Sequence, residues 1–260
     1  MTTLVFFHAH PDDEAIATGG VMALAAQAGY RTVLVAATRG EVGEHQPDAL
    51  AEGEELGERR SQELRDAARI LGVERLEFLG YRDSGMIGEA TNDDPDSFWQ
   101  ADVDEAAGRL AAILTETDAD VLFTYDEHGG YGHPDHIQVH RVGYRAAEMA
   151  AVDRVFESTI NRDQVVEMMA DMPDIDDAPD FDATPDFGMP SDRITHAIDV
   201  SAALSVKREA MAAHSSQITE ESFFLAMADV VFAKAFGTEW FIDRKTSRAP
   251  GAPFFERLLD

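Results

Sequence analysis

Short apolar runs alternate with amphipathic stretches along the first 160 residues of the chain. Four runs are almost continuously hydrophobic: LVFFHA (4–9), TVLVAA (32–37), RLEFLG (75–80) and DVLFTY (120–125). Strands of this kind are typical of a parallel sheet that is covered on both faces. We therefore predict four buried strands. The stretches that follow them predict four helices, at about 15–28, 57–71, 101–117 and 134–150.

This order of strands and helices predicts an α/β fold, with a Rossmann-like, mostly parallel sheet and helices on both of its faces. Ligands of such sheets bind at the carboxyl ends of the strands. A chain of 260 residues lies at the upper edge of single-domain size. We expect one domain, 1–260, whose Rossmann-like core covers about 1–160.

The pattern is looser in the rest of the chain. RVFESTI (154–160) predicts another strand, and a segment rich in Asp and Pro (171–192) is interpreted as a long solvated loop. The elements predicted beyond it are a strand at about 194–199, helices at about 201–213 and 220–235, and a short strand, GTEWFI (237–242). We expect this C-terminal segment, about 190–260, to complete the substrate pocket.

Composition limits the possible partners. The formal net charge is −29, which disfavours nucleic acid and phospholipid headgroups because phosphate contacts need Lys and Arg. The chain has no Cys, so a metal ion would need His, Asp or Glu ligands. The start of the sequence lacks a basic signal-peptide region, and no apolar run approaches the roughly 18 residues of a membrane span. We expect a cytoplasmic protein without a membrane partner.

Two similar motifs follow the first and the fourth predicted strands. They are HPDDE at 10–14 and HPDH at 133–136. Alone, the acidic residues of the first motif are equally well explained as residues that favour a helix start. However, His10 and Asp13 are three residues apart, as are His133 and His136, so each pair can face one side of a helical turn. At two strand ends the pairs can converge, which predicts a metal site with the nitrogen and oxygen ligands that suit catalytic zinc.

The residues next to these pairs are candidates for the chemistry. A hydrolytic metal site needs a base for the attacking water, and Asp12 is the candidate because it adjoins Asp13 but must point elsewhere. His133 is placed to stabilise an oxyanion or to protonate a leaving amine. Asp135 can orient His133 or a ligand imidazole.

Together, the two motifs resemble the signature motifs of the PIG-L/LmbE-like zinc N-deacetylases, and the resemblance extends through most of the chain. It implies a Rossmann-like fold and deacetylation of N-acetylglucosamine conjugates. It also implies Zn²⁺ as the cofactor, with another divalent metal such as Fe²⁺ as the alternative. By the same resemblance, His10, Asp13 and His136 would be the metal ligands and Asp12 the general base.

Further segments resemble the mycothiol-pathway branch of that family: RDSGM (82–86), YDEHGGYG (125–132), AHSSQ (213–217) and GTEW (237–240). This resemblance implies that Tyr131 helps to polarise the scissile carbonyl. It implies that Arg60 and Asp83 bind the sugar or its polyol partner, and that His214 lies in the substrate pocket. The alternatives are an exposed helix arginine, a turn aspartate and a histidine that favours a helix end.

The predicted function is therefore zinc-dependent removal of the N-acetyl group from an N-acetylglucosamine-type substrate, such as N-acetylglucosaminyl-inositol. One alternative is a hydrolase of larger amides that resembles mycothiol S-conjugate amidase, a choice that the loops 40–56, 85–100 and 171–192 would decide. The alternative from another class is a non-catalytic sugar- or metal-binding protein, which would need neither Asp12 nor His133. No G-x-G-x-x-G motif follows the first strand, so NAD is not expected. A homo-oligomer is compatible with the sequence.

Overall fold

The computed structural model describes residues 1–170, 187–222, 224–249 and 251–259. The strands within these ranges are β1 (Thr3–His8), β2 (Arg31–Ala36), β3 (Arg75–Phe78), β4 (Val121–Tyr125), β5 (Arg154–Thr159), β6 (His196–Asp199) and β7 (Thr238–Ile242). They form one sheet in the order β3-β2-β1-β4-β5-β7-β6. β1 to β5 are parallel to one another, and β7 is antiparallel to both of its neighbours. The predicted α/β fold with a mostly parallel sheet is confirmed.

The helices of the described residues are α1 (Gly19–Gln27), α2 (Leu56–Leu71), α3 (Val103–Glu116), α4 (Pro134–Ala150), α5 (Arg162–Ala170), α6 (Leu204–Ala213) and α7 (Asp229–Phe236). A π-helical turn, Glu14–Thr18, leads into α1. Short 3-10 turns lie at Ala90–Asp93, Phe98–Gln100 and Ser201–Ala203.

Alternate side chains of β1 enter two separate hydrophobic clusters. Leu4 and Phe6 pack on the face covered by α1, α2 and α6. Val5 and Phe7 pack on the opposite face, which α3 and α4 cover. Burial on both faces explains why the central strands are hydrophobic at every position and not at every second one.

The connections that follow β1 and β4 lie on opposite faces of the sheet, although the two strands are neighbours in it. The chain first builds outward from β1 to β3 and then returns through α3 to the other side of β1. Such a change leaves a crevice at the carboxyl ends of the two strands. The segments 10–14 and 126–136 both begin at this crevice.

A buried ion pair ties the C-terminal part of the chain to this core. Lys207 of α6 donates from Nζ to Oε1 of Glu239 on β7 at 2.6 Å, and the side chains are 1 % and 2 % exposed. The same carboxylate accepts hydrogen bonds from the backbone nitrogens of Gly20 and Val21 at 2.7 and 2.9 Å. It therefore caps the start of α1, where backbone N–H groups and the helix dipole favour a negative charge.

Three parts of the C-terminal half differ from the sequence predictions. Helix α5 was not predicted, and its one buried side chain, Met168, provides no apolar stripe that periodicity could detect. The helix predicted at 220–235 begins only at Asp229. In the predicted loop 171–192, residues 171–186 lie outside the described residues, and Met189 forms a β-bridge with Asn161. Among the described residues, no helix combines the length and apolar character that crossing a bilayer requires.

The Lys207–Glu239 pair makes a stability prediction. Lys207→Met should lower the free energy of unfolding by about 3–5 kcal/mol, because it leaves a buried carboxylate without its cation. Lys245→Met is the matched control, because it breaks an ion pair with Asp153 whose side chains are 69 % and 96 % exposed. Urea unfolding followed by circular dichroism measures both variants. Equal midpoints for the two variants would contradict the anchoring role of the buried pair.

Candidate active site

The first site segment makes a tight turn directly after β1. Asp12 has a backbone φ of +106°, which is unusual for a residue with a side chain. Its carbonyl accepts hydrogen bonds from the backbone nitrogens of Ala15 and Ile16, both at 3.1 Å. Such a conformation costs of order 1–3 kcal/mol and persists only where the surroundings hold it. The turn directs the carboxylates of Asp12 and Asp13 to different partners.

The second site segment is the glycine-rich loop 126–132 and the start of α4. Asp126 organises the loop: its Oδ1 accepts from the backbone nitrogens of His128 and Gly130 at 2.9 and 3.0 Å, and its Oδ2 accepts from Thr159 Oγ1 at 2.6 Å. Pro134 is the first residue of α4, as the sequence predicts. The loop therefore delivers His133 and His136 to the crevice from a fixed backbone.

One carboxylate oxygen of Asp13 lies close to an imidazole nitrogen from each of the two segments. Its Oδ2 lies 3.5 Å from His10 Nδ1 and 3.4 Å from His136 Nε2. Two ligands of a tetrahedral zinc ion, each about 2.1 Å from the metal, lie about 3.4 Å apart. Each of these two spacings suits a metal ion that is bound by Asp13 together with the imidazole facing it. Two further groups of possible ligand atoms lie within 4.8 Å of one another, namely His10, His133 and His136, and His10, Asp83 and Asp135.

Hydrogen bonds to the other ring nitrogens fix how the two histidines face Asp13. His136 Nδ1 donates to the carbonyl of Gly129 at 3.1 Å, which leaves the Nε2 lone pair toward Asp13. His10 Nε2 donates to Asp135 Oδ2 at 3.1 Å, which leaves Nδ1 as the ring nitrogen that faces Asp13. Metal-binding histidines are commonly held by such bonds through their second nitrogen.

His133 is also close to this group, since ring nitrogens of His10, His133 and His136 lie within 4.8 Å of one another. However, His133 caps α4, and its Nδ1 accepts a hydrogen bond from the backbone nitrogen of Asp135 at 3.1 Å. A neutral imidazole that accepts at Nδ1 carries its proton at Nε2. Burial and the nearby His10 and His136 also lower the pKa of His133, which favours this neutral form. His133 is therefore suited to donate a hydrogen bond and less suited to bind a metal.

The charges around the donors favour a cation. Burial alone would lower the pKa of His10, but the carboxylates of Asp83, Asp13 and Asp135 outweigh it and raise this pKa well above its usual value. Burial alone would raise the pKa of Asp13, but His136 and His10 lower it well below its usual value. A site that stabilises added positive charge in this way suits a divalent ion. The donor types, spacing and charge thus all fit a metal.

Asp12 lies apart from the metal-donor group and faces Arg60. Its Oδ2 is 3.3 Å from Arg60 Nη2. Burial raises the pKa of Asp12 to about 6, although Arg60 opposes the shift. Arg60 is buried and also donates to the carbonyls of Pro11 and Gly40 at 2.5 and 3.0 Å. It is therefore not an exposed helix arginine.

Asp83 and Asp135 both lie against the ring of His10. Asp135 is fully buried and accepts from the backbone nitrogen and the hydroxyl of Ser84. Asp83 Oδ1 lies 3.4 Å from His10 Nε2 and accepts from the backbone nitrogen of Gly85 at 2.9 Å. The sequence left open whether Asp135 orients His133 or a ligand imidazole. In the structure its carboxylate lies directly against the imidazole of His10.

Tyr131 and His214 occupy opposite environments. Tyr131 is 42 % exposed, and its hydroxyl lies 3.4 Å from His136 Nε2, at the mouth of the crevice. His214 is fully buried, and its Nε2 lies 2.6 Å from Glu14 Oε1. Sugar binding by Arg60, Asp83 and His214 stays a prediction. Arg60 and His214 both lie beneath the surface, with hydrogen bonds to the 10–14 segment.

Sequence reasoning did not single out Glu14, Ser84 or Asp126 as site residues. Glu14 was interpreted as a helix-start residue, although its carboxylate is fully buried and bonds to the backbone of Asp12. Asp126 had one usable signal, namely an acidic residue at a strand end followed closely by glycines. Ser84 had none, because its partner lies 51 residues away.

Residues 5–147 match the family model described as PIG-L: GlcNAc-PI de-N-acetylase. This stretch contains both His-Pro-Asp motifs. The chain belongs to the PIG-L family. The family predicted from the two motifs is confirmed, and with it an enzyme that hydrolyses the amide bond of an N-acetylated substrate.

Similar proteins extend this agreement beyond the matched residues. A protein of Thermobifida fusca named 1D-myo-inositol 2-acetamido-2-deoxy-alpha-D-glucopyranoside deacetylase is 43 % identical over 263 residues, 92 % of this chain and 91 % of the relative. A protein of Thermomonospora curvata with the same name is 39 % identical over 272 residues, 95 % and 92 % of the two chains. The structure of N,N'-diacetylchitobiose deacetylase from Pyrococcus horikoshii is 22 % identical, covers 92 % of this chain and 82 % of its own, and has a TM-score of 0.60. It has the same fold.

Two glycines of the 126–132 loop provide a matched test of the site geometry. Gly129 has φ +63°, and an added Cβ would lie 2.4 Å from His136 Cβ and 2.8 Å from the backbone nitrogen of Ile137. Gly129→Ala should therefore displace the first turn of α4 and reduce the metal content of the purified protein. Gly132→Ala is the control, since Gly132 has φ +92° but an added Cβ would lie more than 4 Å from every heavy atom of the described residues outside its own chain neighbours. It should show backbone strain alone, of order 1–2 kcal/mol. Elemental analysis and thermal unfolding measure the two effects, and full metal content in Gly129→Ala would contradict the predicted geometry.

Proposed function

We propose that this enzyme removes the acetyl group from an N-acetylglucosamine-type substrate with the help of one divalent metal ion held by His10, Asp13 and His136. The observation that carries the proposal is Asp13 Oδ2, which lies 3.5 and 3.4 Å from imidazole nitrogens of two separate strand-end segments. When bound there, the ion would polarise the acetyl carbonyl and lower the pKa of a water molecule.

Asp12 acts as the general base in this proposal. Its carboxylate accepts a proton from the water that attacks the acetyl carbonyl carbon. The C–N bond then breaks as the amine nitrogen takes up this proton, which releases acetate and the free amine. Two observations support the role: Asp12 adjoins Asp13 in sequence, and its carboxylate is paired with Arg60 at 3.3 Å and is not one of the three proposed metal donors. A carboxylate that bound the metal could not serve as the base at the same time.

His133 and Tyr131 stabilise the negative charge that develops on the acetyl oxygen. The Nδ1 of His133 is occupied by the backbone nitrogen of Asp135, so its Nε2–H is available to donate toward the oxygen or the leaving amine. The hydroxyl of Tyr131 lies 3.4 Å from His136 Nε2, and the residue is part-exposed at the crevice, so the side chain can meet a bound acetamide there. Asp135 supports the ring of His10 through its 3.1 Å hydrogen bond.

The substrate class rests on the curated relatives, which carry the name of an inositol-linked glucosamine deacetylase at 39 % and 43 % identity. The net charge of −29 adds that a lipid-phosphate conjugate would meet an unfavourable long-range potential. N-acetylglucosaminyl-inositol, a neutral glycoside, is therefore the proposed substrate. Zinc in preference to Fe²⁺, a cytoplasmic location and a homo-oligomer stay predictions.

The two neighbouring carboxylates should have separable roles. We expect about one metal equivalent per chain in the unchanged protein. Asp13→Ala should lower this metal content, and His10→Ala and His136→Ala should do the same. Asp12→Asn should retain the metal but lower turnover by roughly 10²- to 10⁴-fold, the range for a lost general base. Metal analysis and initial rates on the same preparations separate the outcomes. Equal metal loss in Asp12→Asn and Asp13→Ala would mean that base and ligand are misassigned.

The substrate prediction is tested by acetate release from N-acetylglucosaminyl-inositol and from free N-acetylglucosamine. We expect deacetylation of both, with the inositol conjugate preferred because a site that pairs with more hydroxyls discriminates more strongly. Asp12→Asn and chelator-treated protein serve as negative controls. Cleavage of bulkier amides without action on either sugar would favour the amidase alternative instead.

A further inference from the structure

We propose that Glu14 and His214 together form a positioning device that holds the carboxylate of Asp12 in its working orientation. Both are positioning residues, since neither side chain reaches the reacting atoms. The inference depends on the proposed role of Asp12 as the base. It gives the C-terminal segment a function in catalysis that is separate from contact with the substrate.

The backbone of Asp12 needs external support. Its φ of +106° is unfavourable for a residue with a side chain, so a free turn would relax toward an ordinary conformation. A change in φ rotates the whole side chain about the backbone. The carboxylate of Asp12 therefore stays in place only as long as the adjoining peptide groups are fixed.

Glu14 supplies that support on the amide side of Asp12. Its Oε2 accepts a hydrogen bond from the backbone nitrogen of Asp12 at 2.9 Å. Arg60 acts on the other side of the same residue, where its Nη2 donates to the carbonyl of Pro11 at 2.5 Å. The peptide group before Asp12 is thus bonded at both its N–H and its C=O.

His214 in turn holds Glu14. Both side chains have 0 % exposure, and His214 Nε2 lies 2.6 Å from Glu14 Oε1. A buried carboxylate needs partners for both oxygens, and here the two partners are the Asp12 amide and the imidazole. Without His214, one oxygen of Glu14 would be buried without a partner, and the side chain would have reason to turn away from Asp12.

The position of His214 is fixed by its own surroundings. Its carbonyl accepts from the backbone nitrogens of Gln217 and Ile218 at 2.9 and 2.8 Å. Two residues on, the backbone nitrogen and hydroxyl of Ser216 donate to Glu63 of α2 at 2.8 and 2.6 Å. The AHSSQ segment is therefore attached to α2, the helix that also carries Arg60.

The metal donors do not depend on this link. The backbone nitrogen of His10 donates directly to Asp13 Oδ2 at 2.9 Å, and His136 is held by the loop 126–132. Loss of Glu14 or His214 should therefore misplace Asp12 while the metal site stays assembled. A purely structural role predicts a different result, in which stability falls but turnover by the folded protein does not.

The experiment compares Glu14→Ala, Glu14→Gln, His214→Leu and His214→Gln with Lys207→Met as the stability control. Assays with saturating metal use a temperature at which every variant is folded. Glu14→Ala and His214→Leu should lower kcat by about 10²-fold, the scale of a 1 Å misplacement, with KM within about twofold and one metal equivalent retained. The two Gln variants keep a hydrogen-bonding group at the same distance and should recover most of kcat. Lys207→Met should lose stability without losing kcat.

The double variant Glu14→Ala/His214→Leu provides the sharpest readout. If the two residues form one link, removing both should cost no more kcat than removing either, so the effects are not additive. Additive losses, wild-type kcat in the single variants or loss of metal together with activity would each overturn the inference. If Glu14→Ala does not fold, His214→Leu and the two Gln variants still decide the outcome. Asp12→Asn is assayed alongside: wild-type turnover in that variant would overturn the proposed function itself, whichever result Glu14 gives.

Discussion

The structure depends on a geometric constraint at two adjacent strand ends. β1 and β4 must bring their following segments close enough for one carboxylate oxygen, Asp13 Oδ2, to lie within 3.5 Å of an imidazole from each segment. The parallel pairing of β1 with β4 sets this distance, and the change of connection face between them keeps the space open. His136 belongs to this group only as long as the first turn of α4 keeps its place beside β1. The strain at Asp12 and the glycines of the second loop follow from the need to meet this constraint.

Buried carboxylates organise the loops that meet it. Asp126 accepts from two backbone N–H groups of its own loop, Asp135 from Ser84, Glu63 from Ser216 and Glu239 from the start of α1. Hydrogen bonds to a charged acceptor are roughly twice as strong as neutral ones, which suits segments without regular secondary structure. Several of the many acidic residues are therefore not surface residues. Their carboxylates accept hydrogen bonds from backbone N–H groups that have no helix or strand partner.

The sequence predicted the central strands, and it predicts that two strand-end segments supply metal donors, because the signals for both are local. Continuous hydrophobic runs identify buried strands, and the repeated strand-turn-His-Pro-Asp order identifies converging donors. The link between Glu14 and His214 could not be predicted, since its partners are 200 residues apart and each has an ordinary local explanation. For the same reason Arg60 looked like a surface residue of an amphipathic helix. Only the tertiary contacts of its guanidinium with Asp12 and with the carbonyls of Pro11 and Gly40 show that it is buried.

The proposed metal donors and the proposed base are held in place by different segments of the fold. The metal donors come from segments that begin directly at β1 and β4, so the core sheet can present them without further support. The proposed general base is different, because Asp12 occupies a strained turn whose neighbours are held by α2 and, through His214, by the end of α6. β7 adds a second attachment between the same regions through Glu239 and Lys207. In the proposed roles, metal binding and proton transfer therefore rest on different parts of the structure, and changes in the C-terminal segment should alter the second without removing the first.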